Sequence, residues 1–195
     1  MSYYIIAPLE SVKGPNSLPE FNEARRETAS AARARASQLW TGFIDGGLLP
    51  SPRQYGVGPL RKNDMAGDTT DSVTSGSYSF RSNKTATGWQ DIFNYTVRDD
   101  EIHAFDGFGF SEPTLRMTQI RFQFGERRFP IFDLQEAQLY ERFAILLKTD
   151  QGKPLVVDPG TSILMRGFFE TIGQQRVIPL GLNVFKRVDI LLDET

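Results

Sequence analysis

Cysteine is absent and histidine occurs once, as His103, in a chain of 195 residues. The first absence removes disulfides, thiolate nucleophiles and Cys-based zinc or iron-sulfur centres; the second removes any site that needs two imidazoles. A hydrolytic triad needs one ring only, yet no Gly-x-Ser-x-Gly elbow is present. Gly107-Phe108-Gly109 and Gly56-Val57-Gly58 are not followed by Gly-Lys-Ser/Thr, so neither is a phosphate loop. Catalytic residues, a bound cofactor and a metal ion are therefore not expected. An excess of positive charge is missing too: 22 Lys+Arg stand against 24 Asp+Glu, a net charge of -2. No overall field draws the chain to nucleic acid or an anionic membrane.

Long hydrophobic runs are also lacking. Nothing approaches the roughly 18 apolar residues of a membrane span, and residues 1–8 have neither the basic start nor the apolar length of a secretory signal. The expectation is a soluble or peripheral protein of a reducing compartment, with no transmembrane segment.

What is present is ordinary globular composition, 39% hydrophobic and 24% charged, enough for one substantial core. The chain divides into an extended arm (1–17), a helix and hinge (18–45), a long loop (46–76) and a β-domain (77–195). The arm opens on Tyr3, Tyr4, Ile5 and Ile6 and then breaks into Pro8, Gly14, Pro15 and Asn16. Ser17-Leu18-Pro19-Glu20 is a helix start, with Ser17 as cap, Glu20 answering it and proline in the first turn. A helix should run to about Trp40, rich in Ala, Arg and Glu. Its apolar face is mostly alanine, which buries little but permits close approach to another surface. Docking must lean on Phe21, Leu39, Trp40 and Phe43. Arg25, Arg26, Arg33 and Arg35 point in different directions at about 100° per residue, so they cannot read one groove; protein carboxylates, in this chain or a neighbour, are their expected partners.

The loop carries Pro50, Pro52, Pro59 and six glycines with few large apolar residues, so regular structure is not expected there. Arm and loop have too little apolar content to order themselves, and a neighbouring subunit is the economical support.

From residue 77 the sequence alternates short apolar runs with turn signals. The runs 77–81, 89–97, 114–124, 129–134, 139–148, 155–157, 163–169, 177–180 and 182–192 read as strands. Leu115 and Met117 share one parity and Ile120, Phe122 and Phe124 the other, which places a β-bulge near Thr118 and Gln119. In 182–192 the even positions are apolar while Asn183, Arg187 and Asp189 take the opposite face, the pattern of a half-buried strand. The fold class is mainly β, an antiparallel sandwich or jelly-roll-like barrel preceded by an arm, one α-helix and a long loop.

Asp99-Asp100-Glu101-Ile102-His103 and Asp106 look like a metal or acid-base site, but one imidazole with no calcium-loop spacing makes His103 structural. Phe105 to Phe110 interleaves aromatics with glycines and reads as a loop. Phe105 and Phe110 would plug the end of the barrel, and Phe108 would anchor a partner. The functional expectation is a non-enzymatic structural subunit of a large assembly, a capsid or other virion protein of a virus or phage assembled in the host cytoplasm. Its partners would be copies of itself and other subunits, with no small-molecule substrate; nucleic acid is possible but not expected. Tyr3, Tyr4, Ile5, Ile6, Arg25, Arg26, Arg33, Arg35 and Phe108 would carry those contacts. The alternative is a carbohydrate-type β-sandwich module using Trp89, Tyr95 and the 105–110 segment.

Overall fold

The computed structural model describes residues 4–12, 17–40, 55–60, 80–111, 114–135, 137, 140, 142–147 and 154–186. Helix α1 (Pro19–Leu39) occupies the Ala/Arg/Glu segment and buries Phe21, Ala24, Thr28, Ala32 and Ala36, a stripe repeating every three or four residues. Ser17 does not cap it. The N-cap is Leu18, and Pro19 follows at a position where a missing N–H costs nothing. The Ser17 hydroxyl instead accepts the Asn22 side-chain amide at 2.7 Å. The helix stops at Trp40, whose N–H bonds the Ala36 carbonyl.

The rest is mainly β. The strands are β1 (Tyr4–Pro8), β2 (Tyr55–Pro59), β3 (Phe80–Lys84), β4 (Gly88–Thr96), β5 (Glu101–Phe110), β6 (Met117–Phe124), β7 (Arg127–Arg128), β8 (Phe132–Asp133), β9 (Phe143–Leu147), β10 (Leu155–Val157), β11 (Ser162–Phe169) and β12 (Gly173–Lys186). They form two antiparallel sheets. One runs β1-β9-β5-β12-β2, with β10 on β5 and β3 on β12; the other runs β4-β11-β6-β7, with β8 on β6. The sheets face each other as a sandwich across a core that includes Phe93, Phe105, Phe108, Phe122, Phe143, Ile163 and Met165.

Helix α1 lies on the outer face of the seven-stranded sheet, so the molecule has three layers. Phe21 and Ala24 pack with Ala144, Leu146 and Leu180, and Ala32, Ala36 and Trp40 with Ile102, Ala104 and Val184. Small residues on both sides bring helix and sheet close together. Leu39 is exposed, so at this end of the helix the docking rests on Trp40; Phe43 lies outside the described residues. The helix also makes β9 and β5 buried on both faces.

Three expectations change here. Residues 4–8 are no free arm: β1 pairs antiparallel with β9, Tyr4 opposite Leu147 and Pro8 opposite Phe143. Within the expected loop, Tyr55–Pro59 pairs with β12; residues 41–54 and 61–79 lie outside the described residues. Residues 101–110 are no loop but the centre of the larger sheet. Two glycines there serve close approach rather than turning. A Cβ on Gly107 would sit 1.8 Å from the Ile145 carbonyl oxygen, and one on Gly181 would sit 2.0 Å from that of Ala104. Between their strands the register slips at Leu180/Gly181, leaving Asp106 as the extra residue of a bulge. The bulge expected at Thr118 is present: β11 pairs Phe168 with Gln119 and Phe169 with Met117, skipping Thr118.

Candidate functional site

Strand β5 sends side chains in both directions, and its polar residues define two separate sites. On the helix side, the bulge turns Asp106 under α1. Asp106 is 4% exposed, Arg25 Nε lies 3.8 Å from its Oδ2, and its Oδ1 has no hydrogen-bond partner. Burial raises the pKa of this carboxyl, opposed by the Thr28 hydroxyl and the Arg25 charge. Arg25 also donates to the Val12 carbonyl at 3.3 Å.

Further along the helix, Arg35 donates Nε and Nη2 to the two oxygens of Asp158 at 2.8 and 2.7 Å. That bidentate hydrogen bonding holds the guanidinium pKa above its ordinary value. The pair ties α1 to the turn after β10. Arg25 and Arg35 are thus engaged by carboxylates of their own chain, whereas Arg26 and Arg33 are exposed.

On the sandwich side, Glu101, His103 and Phe105 alternate inward. His103 is fully buried, with Nε2 2.9 Å from Glu101 Oε2 and Nδ1 2.8 Å from the Tyr95 hydroxyl of β4. In the tautomer that suits both contacts, the ring donates from Nε2 to the Glu101 carboxylate and accepts the Tyr95 hydroxyl at Nδ1. Arg98 Nη1 stands 3.5 Å from Glu101 Oε1. Register places Asn183 of β12 opposite His103 and Phe185 opposite Glu101, so all four share the inner face. Asn183 is therefore buried, not on a solvated face: the helix covers one side of β12 and the second sheet the other. Its Oδ1 has no hydrogen-bond partner.

These residues sit at the mouth of the sandwich beside a cavity of about 500 Å³, lined by Val57, Gly58, Pro59, Asp100, Glu101, Asn183, Phe185 and Lys186. Among the described residues no three His, Asp or Glu side chains gather as a metal site, and Glu101 and Asp106 face opposite sides of the sheet. No helix among them is long and apolar enough to cross a membrane.

The residues expected to meet partners do not converge. Tyr3 lies outside the described residues; Tyr4, Ile5 and Ile6 belong to edge strand β1, with Ile6 packed against the core; the four arginines are spread along α1. Phe108 is no anchor for a partner. It is fully buried and stacked on Phe122 with ring centroids 4.6 Å apart. The carbohydrate-type surface fails for the same reason, since Tyr95, Phe105 and Phe110 are core residues. Trp89 is half-buried, with Arg121 5.2 Å over its ring and Phe168 packed edge-on.

No family model and no curated protein matches this chain. Among solved structures, a chain of "Structure of infectious bursal disease virus Gx strain" is similar at 10% identity and a TM-score of 0.17, over 78% of this chain and 48% of that one. The present chain spans about half of that chain's length. A likeness of this size carries no argument about fold or role.

Proposed function

We propose that the chain is a non-enzymatic structural subunit of a large assembly, a shell component of the virus or phage kind, that joins neighbours through the β1 edge of its larger sheet. The observation that supports this reading is the chemistry of that edge. Among the described residues β1 pairs on one side only, with β9, and its sequence Tyr-Ile-Ile-Ala-Pro carries no charge. Monomeric sheet proteins blunt such edges with lysine or other charges, because unpaired N–H and C=O groups recruit another strand. Here only Pro8 interrupts it. The strand expected to reach out as an arm thus serves its own sheet on one side and offers a template on the other. Exposed Arg26 and Arg33 on the outside of α1 supply cations for a neighbour's carboxylates. Two-sheet antiparallel sandwiches also form many viral shells, which is an analogy of fold alone.

Size-exclusion chromatography with light scattering over a concentration series tests the proposal. The expected result is a mass that climbs above the 22.0 kDa of one chain, and a return to monomer in Tyr4→Lys, which places a charge on the edge. Monomer at every concentration would overturn it.

A further inference from the structure

Strand β1 presents its outer edge in a fixed pattern. The Leu9 N–H bonds the Arg142 carbonyl at 3.1 Å, which continues the register that sets Pro8 opposite Phe143. In an antiparallel ladder the residues that exchange hydrogen bonds with one neighbour alternate with those that do not. Odd positions of β1 therefore turn N–H and C=O to β9, and Tyr4, Ile6 and Pro8 turn theirs outward. Pro8 has no N–H to give, and it falls where β9 asks for none. The outward edge carries the donors of Tyr4 and Ile6 and then a stop.

We infer that the strand filling this edge is β1 of a second copy, antiparallel about a two-fold axis at Ile5. The inference rests on the reading of β1 as an assembly edge and names its occupant. An uncharged edge of alternating donors and acceptors is complementary to itself, and two-fold contact between identical patches is the commonest way like chains associate. The faces fix the antiparallel sense. Ile6 packs toward the sandwich core and Ala7 toward the helix. Antiparallel pairing about an axis normal to the sheet sets even positions against even positions, so core side meets core side and both helices lie on one side of the joined sheet. Parallel pairing of the same edges about a two-fold would turn one copy over and set core side against helix side.

Proline fixes the register. With the axis at Ile6, the Pro8 ring would face the Tyr4 carbonyl of the other copy, where a ladder needs an N–H. With the axis at Ile5, Tyr4 and Ile6 exchange hydrogen bonds in both directions, each copy uses both outward donors, and Pro8 stands beyond these pairs. The far end of the same sheet is a weaker template. There the Leu60 N–H bonds the Gly181 carbonyl at 3.1 Å, so β2 turns Tyr55, Val57 and Pro59 outward. Its alternate positions are Gly56 and Gly58, and glycine-rich strands specify register poorly.

The chain has no cysteine, so a single introduced thiol reports its own neighbour. Ile5→Cys and Glu10→Cys are made in the full-length protein, treated with oxidised glutathione and run on a non-reducing gel. At the axis, residue 5 faces its copy with Cα atoms about 4.5 Å apart, within the reach of a disulfide. Residue 10, beyond the end of the strand, stands about 20 Å or more from its copy. A covalent dimer that reductant releases is expected with Ile5→Cys and none with Glu10→Cys. Tyr4→Pro decides independently should Ile5→Cys destabilise the fold. It removes an outward donor from each copy and none from the β9 ladder, so it should weaken association by at least about tenfold and leave the urea midpoint of the monomer near the native value. A native chain whose mass rises with concentration while Ile5→Cys stays uncrosslinked, or while Tyr4→Pro associates as tightly as the native chain, would overturn this inference and leave the assembly role standing on another contact. A native chain that is monomeric throughout would overturn both.

Discussion

Replacing Phe108 by alanine separates a core residue from a surface anchor. The ring is fully buried at the centre of the sandwich, with the rings of Phe122, Phe105 and Phe93 at 4.6, 5.6 and 6.1 Å. These neighbours come from β4, β5 and β6, which belong to both sheets, so little local movement can close the hole. Phe→Ala substitutions in cores cost about 3–5 kcal/mol, more where the site cannot collapse, so about 4 kcal/mol is the working value. That is a large fraction of the roughly 5–15 kcal/mol that holds a domain folded. At about 2–4 °C per kcal/mol for a chain of this size, the midpoint of melting should fall by about 8–16 °C. Urea unfolding followed by the fluorescence of Trp40 and Trp89 gives the free energy, and calorimetry gives the midpoint. Leu39→Ala, at a side chain 39% exposed, is the surface control and should change stability by less than about 1 kcal/mol. A cost below about 1 kcal/mol for Phe108→Ala, accompanied by loss of assembly, would mean that the ring faces a partner, and the core described here would be wrong.

Two further outcomes follow from charges beneath and beside the helix. Burial raises the Asp106 pKa in the folded chain, so the folded state binds this proton more tightly than the unfolded state does. Stability from this group is present below the ordinary carboxylate pKa of about 3.9 and is lost as pH rises through the folded value. Asp106→Asn should remove that decline and match or exceed the native chain near neutral pH in urea melts; a loss above about 1 kcal/mol there would show that the ionised carboxylate stabilises the fold. For Arg35 and Asp158, both side chains are more than a third exposed. A double-mutant cycle should give a coupling of about 0.2–1 kcal/mol that shrinks with salt, and salt-independent coupling would refute an ionic tie.

How far the sequence discloses the fold depends on how many faces of each element are covered. Strand β11 is covered on one face: Ile163, Met165, Gly167 and Phe169 point inward while Leu164, Arg166 and Phe168 stay partly exposed, so its alternation is visible in the letters. The bulge at Thr118 shows itself as a phase change in the same alternation. Helix α1 is legible from propensity, and its alanines announce close packing without naming the surface, because that surface is built by β5, β9 and β12 from distant parts of the chain. Strand β1 misleads for a related reason. Nothing near Tyr4 in sequence indicates that its partner is Leu147.

The central strand is the least legible element, and the candidate site inherits that obscurity. β5 is buried at every position, so no contrast between faces survives, and its glycines and acids resemble a loop although the glycines allow strands to approach and the acids sit at a bulge and a cavity. Along the inner face the strand passes from Glu101 and His103 to Phe105, Phe108 and Phe110. The aromatic end closes the sandwich with stacked rings, while the polar end needs Tyr95 from one sheet and Asn183 from a strand eighty residues away to complete it. Read alone, Asn183 belongs to the polar side of a half-buried strand. Only the covering of both faces of β12 turns that polar side inward and leaves the Asn183 Oδ1 buried without a partner.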